Sequence, residues 1–597
     1  MANPLIRDRL VDFLLNEVLH VSDLCDLPEF EDYSTETFDL LLDSVRKLAR
    51  GPMFETYREM NDAPAHFDGK RVITSERMKD LYPRLVELGM TNATRPKDAG
   101  GQQLPCVIMG VCAAYLSAAN VSATCFATLS IGAGHLIEAF GSHILRERYM
   151  APIYSGEWTG TMALTEPHAG SSLGDVATKA LPTDGEHYLI SGSKIFISGG
   201  DNSFSENIVH LALARIEGAP AGIRGISLFV VPAKRLEGTD LVDNDVTPTG
   251  TFHKMGWRAL PSIALTFGEA GDCHGYLVGE PHRGMRYMFQ MMNEARIGVG
   301  LHAAATALVA YEESLAYAKE RPQGRALKGK ADGPQVNIIE HADVRRMLLR
   351  QKAISESAFA LVLICGQYMD LSRYATEAAE RERAEKLLEL LTPVTKTFAA
   401  EQGFESNALA VQVLGGAGYT SEYLPEAWLR DQKLNSIHEG TTGIQSLDLL
   451  ARKVFGTGGA SLVGFAKEIA LTIEAGKSAG VEESWLKALE TATADVGELS
   501  QVLGMRAMAD AEAGMRHSHD YLDMFGTLVI GWVWVRLATA ASRGIKNGGA
   551  RADKSFYDGQ LRCAQYWFAN EMPRVKELAR RIEVGDDSYA AMDHDSF

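Results

Sequence analysis

Between positions 158 and 270 the chain is a series of short β-rich runs with nothing helical between them. Residues 188–191, 194–197, 208–214, 226–231 and 263–267 are rich in β-branched, aromatic and aliphatic side chains. Turn clusters such as Asp184-Gly185 and Gly199-Gly200-Asp201-Asn202 separate them. Parallel neighbours in a doubly wound sheet need a crossover of about a dozen residues or more, usually a helix. No such stretch is present, so the segment predicts a small, mainly antiparallel β domain and disfavours a Rossmann topology.

On both sides the hydrophobic period changes to that of helices. In 34–50, Phe38, Leu41, Leu42, Val45 and Leu48 fall on one helical face, with Ser34 as a cap and Glu36 in the first turn. Further helical patterns cover 75–88, 106–127 and 133–149, the second rich in the small residues that close helix packing requires. After the β segment come 286–320, 342–371, 376–391, 393–414 and 442–454, with a polar surface loop at 321–340. A Gly-rich linker at 456–459 leads to a last helical block, and no repeat of fixed period is visible. The expected architecture is α+β multidomain: an N-terminal helical extension (1–33), an N-terminal helical domain (34–157), a central antiparallel β-barrel or sandwich domain (158–275), a helical bundle (276–455) and an extra C-terminal helical domain (456–597).

Composition narrows the function classes. Hydrophobic residues make up 46% and charged residues 23% of the 597, as in ordinary folded proteins, so disorder and disulfide scaffolds are disfavoured. A net charge of −18 repels nucleic-acid phosphates and anionic membranes. The seven cysteines form no C-x-x-C pair, which argues against a metal site and fits a reducing cytoplasm. Charges at Arg7, Asp8, Arg9, Asp12 and Glu17 break up any signal-peptide core, and the apolar run 528–535 falls short of the about 20 residues a membrane span needs. A soluble cytoplasmic protein that inserts into no membrane is expected.

The dinucleotide fingerprint, P-loop, H-E-x-x-H and G-x-S-x-G motifs are all missing; His438-Glu439 is followed by Thr442, not by a second histidine one turn on. What stands out is a set of segments that put Gly, Ser and Thr beside single charges: MALTEPHAGSSLGD (162–175), KIFISGG (194–200), MNEARIG (292–298), VQVLGGAGY (411–419) and LRDQKLNSIHEGTTGIQ (429–445). Such stretches let backbone approach a ligand and offer many donors, which suits a planar polar cofactor or a diphosphate. Each taken alone is equally a turn.

In this order and spacing the segments resemble the acyl-CoA dehydrogenase family over about 34–454, most specifically in the run ending I-H-E-G-T-T-G-I-Q; the terminal segments match the longer members. The resemblance implies FAD and α,β-dehydrogenation of an acyl-CoA thioester to the trans-2-enoyl-CoA, with hydride transfer to flavin N5. The implied substrate is 3-methylmercaptopropionyl-CoA or a short- or medium-chain acyl-CoA. It also implies an electron-transfer flavoprotein as acceptor and a homodimer; because the amphipathic helices beyond Val454 must bury their apolar faces, the C-terminal block is expected to cover the surface by which shorter members form tetramers.

Carried over by position, the resemblance makes Glu439 the base for the α-proton; read from the residues alone, Glu439 is a carboxylate favoured by the start of the helix at 442–454. Met162, Leu164 and Thr165 are implied at the flavin pyrimidine edge, Ser198 near N5, and Phe196 against the ring where many members have tryptophan. The plain alternative for Phe196 is a strand core residue. Ser171 is implied between pyrophosphate and pantetheine, Asn293, Arg296 and Gly440 at the substrate, Thr441 and Gly443 on FAD within the subunit, and Arg321, Gln412 and Gly416 on the partner's FAD. Three departures are visible: an R-P-Q-G-R sequence at 321–325 that lacks the family's aromatic, His438 in place of tyrosine, and Ser172 in place of aspartate. An acyl-CoA oxidase and a flavin-containing DNA-binding relative are the competing readings, the second opposed by acidic residues after Val454 such as Glu482, Glu483, Asp586 and Asp587.

Overall fold

The structure is a computed structural model that describes residues 3–327, 332–548 and 554–597. It divides into two compact units, one of Tyr33–Ala295 and one that joins Met1–Asp32 to Arg296–Phe597.

In the first unit, Ser34 opens the helix Thr35–Leu48 as expected, and its partner in a reciprocal capping box is Thr37. The helical patterns at 106–127 and 133–149 prove to be one helix, Cys106–Phe140, bent where Asn120 leaves helical angles and ended before Gly141. Gly141 then allows Ser142 to cap a new short helix, His143–Leu145, which is where the expected second helix breaks.

The β domain contains a closed ring. The strand Tyr188–Ser198 pairs over its first half with His274–Leu277 and with Lys179–Pro182; the latter also joins Ile208–Ile216, which returns through Ile226–Pro232 to His274–Leu277. At Gly192, with φ of 155°, the long strand bends, and its second half leaves the ring to carry Ser262–Phe267 and then Val246–Thr251. A Cβ at Gly192 would lie 2.6 Å from Thr178 Oγ1, so the bend needs glycine. Most pairings are antiparallel as expected, but Thr159–Ala163 and Lys179–Pro182 run parallel to Ile208–Ile216. The strands between these elements act as the crossover, so no helix is required.

Strand Ile208–Ile216 shows why the sequence here is almost continuously apolar. Val209, Leu211 and Leu213 pack into a cluster with helix residues such as Leu136, Ile137 and Met288. Ala212 and Ala214 face the other way, among Phe229, Leu265 and Phe267. Both faces are covered, so alternation gives way to a hydrophobic run.

The second unit is helical. The patterns at 376–391 and 393–414 form a single helix, Ala378–Leu414, that accepts Pro393 in its interior, and it packs beside Ala342–Tyr374. The C-terminal block lies on this pair: Gln560 donates to Glu356 at 2.9 Å and the Phe398 and Trp567 rings are 5.9 Å apart. The N-terminal segment belongs here as well. Its first helix, Asp8–Asp12, continues as a π-helix, Phe13–Val18, with Phe13 5.3 Å from Phe556 and Arg7 paired to Glu312 at 2.8 Å. Two segments, Cys106–Phe140 and Ala511–Asn547, are long and apolar enough to cross a membrane, the second being longer than the short apolar run suggested. Their most apolar windows are 89% and 94% buried by protein, which identifies core helices.

The capping box gives a direct test. Ser34→Ala removes the acceptor of the Thr37 N–H, 3.3 Å away, and should cost the first turn of Thr35–Leu48 about 1 kcal/mol. Amide exchange over residues 35–38 should speed up roughly fivefold, and unchanged exchange would show the cap to be idle.

Candidate functional site

In the helical unit, Glu439 sits on a turn between the short 3₁₀ segment Leu434–Ser436 and the helix Thr442–Leu447. Glu439 has φ of 53° and Gly440 of 92°, two consecutive left-handed residues. For a glutamate this costs on the order of 1–3 kcal/mol, so surrounding groups must hold it. They are visible. Gln445 Nε2 donates to the carbonyls of Glu439 (3.1 Å) and Gly440 (3.2 Å), and Lys396 Nζ donates to Gly440 at 2.7 Å. Thr441 caps the following helix by accepting the Ile444 N–H.

The charges around Glu439 come from two long helices. Arg296, on Gly284–Glu320, and Lys396, on Ala378–Leu414, meet where the helices approach closely: a Cβ at Gly300 would lie 2.7 Å from the Thr395 carbonyl. Burial pushes the Glu439 carboxyl above its usual range, while Arg296 and Lys396 pull it back. His438 is pushed down to about 3, by burial first and then by Lys396 and His302, so the histidine before Glu439 is neutral at physiological pH. Arg296 is 2% exposed and bonds Asp448 at 2.9 Å. Arg296, expected as a substrate contact, is buried and ion-paired beside Glu439. Asp448 starts a π-helix, Asp448–Val454, where a continuous α-helix was expected.

The β unit presents another group. Met162 is the next-to-last residue of the strand Thr159–Ala163, and Leu164 and Thr165 follow that strand; all three are half-buried. The carbonyls of the last two are held: Lys194 Nζ donates to Leu164 at 3.1 Å and the Ile195 N–H to Thr165 at 2.9 Å. Lys194 is fully buried and also bonds Glu166 at 2.8 Å and the Leu213 carbonyl at 2.8 Å. Burial raises the Glu166 carboxyl, but Lys194, Thr178 and the Ala177 N–H outweigh it and hold it below the usual range. Phe196 is no core residue. It has φ of 59°, is 57% exposed, and its ring lies 4.5 Å from Phe252. The Thr165 and Ser198 hydroxyls make no hydrogen bond among the described residues, and Ser171 is exposed just past the Glu166–Ala169 turn.

The remaining expected residues lie in the helical unit, apart from Asn293, which is one turn before Arg296. Arg321 follows the end of Gly284–Glu320, and Gln412 lies near the end of Ala378–Leu414; Ala318 and Val413 in one hydrophobic cluster bring these helix ends together. Arg321, Gln412 and Gly416 are exposed, and a Cβ at Gly415 or Gly416 would meet nothing within 4 Å. Thr441 and Gly443 are exposed beside the Glu439–Gly440 turn. Within the β unit, an outward aromatic ring and unpartnered hydroxyls suit a planar polar ring such as that of a flavin; within the helical unit, the open glycine pair leaves backbone accessible to a ligand.

Glu166, Lys194 and Gln445 lie inside the segments that stood out in the sequence but were assigned no role there, and Lys396 and Asp448 lie outside those segments. Lys396 did leave a trace, as the one charge within 390–400, an otherwise apolar or small run.

Four domain families match the chain in succession: "Acyl-CoA dehydrogenase, N-terminal domain" over residues 35–157, its middle domain over 161–270, its C-terminal domain over 282–455, and "Acetyl-CoA dehydrogenase C-terminal like" over 465–593. The chain is 35% identical to the 3-methylmercaptopropionyl-CoA dehydrogenase of Ruegeria pomeroyi, across 96% of this chain and 97% of that one. It is 33% identical to a butyryl-CoA dehydrogenase of Syntrophomonas wolfei, across 100% and 99%. An acyl-CoA dehydrogenase of Bacillus anthracis solved with FAD superposes with a TM-score of 0.73 at 19% identity, covering 95% of this chain and 90% of that one.

Lys194→Met should strand Glu166, 3% exposed, without its counter-charge. A loss of about 3–5 kcal/mol is expected in urea denaturation. The double variant with Glu166→Gln should recover part of it, and equal losses in the two would show that the charge pairing is not what matters.

Proposed function

This chain belongs to the acyl-CoA dehydrogenase family, FAD-dependent oxidoreductases that act on CH–CH bonds, and from that premise we propose that it desaturates an acyl-CoA thioester between the α- and β-carbons with Glu439 as the base. One observation carries this reading: the Glu439 carboxylate stands on a strained, doubly clamped turn and makes no hydrogen bond or ion pair among the described residues. A carboxylate spent on a structural partner could not take a proton; this one is free to do so. When bound, FAD accepts the hydride that leaves the β-carbon as Glu439 removes the α-proton.

Met162, Leu164, Thr165, Phe196 and Ser198 are the residues to hold the flavin ring, with Ser171, Thr441 and Gly443 toward its phosphates and Asn293 and Gly440 at the thioester. Arg321, Gln412 and Gly416 are the residues to reach a partner's FAD in a homodimer. The names of the two relatives favour a short thioester, butyryl-CoA or 3-methylmercaptopropionyl-CoA, and a dehydrogenase over an oxidase or a DNA-binding protein. An electron-transfer flavoprotein is the proposed acceptor and the cytoplasm the proposed location.

Glu439→Gln keeps the shape of the side chain but cannot accept the α-proton. Flavin reduction by acyl-CoA should fall by about 10²–10⁴-fold or more with FAD still bound; activity within threefold of the parent would refute the assignment. Wild-type activity should also fall as pH drops through the raised Glu439 pKa, so the acid limb should lie above the ordinary glutamate value. Assays across a panel of thioesters with a dye acceptor rank the substrates. Light scattering should give about 130 kDa, twice the 65.0 kDa chain; a monomer or tetramer would contradict the dimer.

A further inference from the structure

A lysine with no exposed surface is costly to bury unless something nearby balances its charge. Lys396 is 0% exposed, and its one hydrogen bond among the described residues is to a neutral acceptor, the Gly440 carbonyl, at 2.7 Å. The carboxylates that face it are Glu401, five residues along the same helix, and Glu439. Glu401 is already engaged by the Thr442 hydroxyl. The other cation near the base, Arg296, is neutralised by Asp448 at 2.9 Å. That leaves Lys396 and Glu439 as the two charges in this region without a closer partner, joined through the turn that Lys396 grips.

We propose that Lys396 is the positioning residue of the base: through Gly440 it fixes the left-handed turn that aims Glu439, and through space its positive charge favours the ionised form of that carboxylate. The proposal rests on Glu439 acting as the base. It assigns Lys396 no contact with substrate or flavin. The division of labour follows from the chemistry: a direct ion pair would occupy the oxygens that must receive the proton, whereas a charge held by the neighbouring carbonyl leaves them free.

The titratable groups around the pair are few enough to name. Glu439 is faced by Arg296 and Lys396, from the two long helices. Lys396 is pushed down to about 8, by burial first, with Glu401 and Glu439 opposing and Arg296 reinforcing, so it is still charged at neutral pH. His438 and His302, pushed down to about 3 and about 4, stay neutral there. Loss of the Lys396 charge therefore has one sign. Glu439 loses a cation that lowers its pKa, its pKa rises, and proton abstraction fails at a higher pH than before.

The test is the pH profile of kcat/KM for flavin reduction in the FAD-loaded protein, with Lys396→Met, Lys396→Gln and Lys396→Arg. Gln retains a donor for the Gly440 carbonyl without the charge, and Arg retains the charge. In Met and Gln the acid limb should move up by about one pH unit, a tenfold loss on the acid side; Arg should keep the wild-type limb. Exchange over residues 437–447 should speed up in Met more than in Gln, independently of turnover. Profiles of either neutral variant that superpose on wild type after scaling, or an Arg limb displaced as far as that of Met, would overturn the proposal. Glu439→Gln run beside them separates the failures. If it is inactive while the Lys396 profiles stay fixed, only the role of Lys396 is lost; if it is active, the reading of Glu439 falls first.

Discussion

To take a proton from a weakly acidic carbon, a carboxylate has to leave water, and out of water it tends to pick up a proton of its own. Around Glu439, the proposed base, the helical unit sets these two tendencies against each other. Burial raises the carboxyl, and two cations delivered by separate helices lower it again. Each of these cations is itself buried and needs a reason to stay: Arg296 has Asp448, and Lys396 has the Gly440 carbonyl. The close approach at Gly300, the π-helical turn that begins at Asp448 and the left-handed pair Glu439-Gly440 then belong together as conditions for placing one ionised group.

The β unit works by a similar rule with the roles reversed. Here the ion pair is closed: Lys194 uses three bonds, on Glu166, Leu164 and Leu213, while Glu166 accepts from Ala177, Thr178 and Lys194. A pair this satisfied has little electrostatic freedom left for chemistry, and replacing such pairs by apolar residues is often neutral for stability. Its value lies in registration. Two bonds, from Lys194 to Leu164 and from the Ile195 N–H to Thr165, tie the loop after one strand to another strand, beside the left-handed Phe196 that turns its ring out of the core.

These two networks mark the limit of what the sequence could disclose. The β segment, the helical flanks and the capped start at Ser34 were legible because periodicity and caps are local. Helix ends were less so: Pro393 and the gap around 128–132 looked like breaks, yet the helices run through both. Strands Lys179–Pro182 and His274–Leu277 are four residues each, too short for a pattern, although they close the ring. Glu439 was legible through its motif. Lys396, 43 positions earlier, is recognisable only once the fold brings its helix against the turn. Phe196 could be read as core or as ligand platform, and only its backbone angle and exposure decide between core and surface.

The terminal segments take on meaning through the same helix. Within the helical unit the C-terminal block touches residues next to both clamps of the Glu439 turn: Trp567 packs edge-on to Phe398, two residues from Lys396, and Ser518 bonds Ser446, next to Gln445. The N-terminal segment braces the block in turn, with Tyr557 donating to Glu17 at 2.6 Å and Arg9 4.6 Å from the centre of the Phe556 ring. Side chains that clamp a strained turn can hold it only as firmly as their own helices are held. A helix as polar as the first three turns of Ala378–Leu414, then buried nearly throughout as it nears Lys396, depends on neighbours for its position. In this chain part of that support is supplied by residues at the two ends of the sequence, which makes the extensions part of the scaffold of the Glu439 turn.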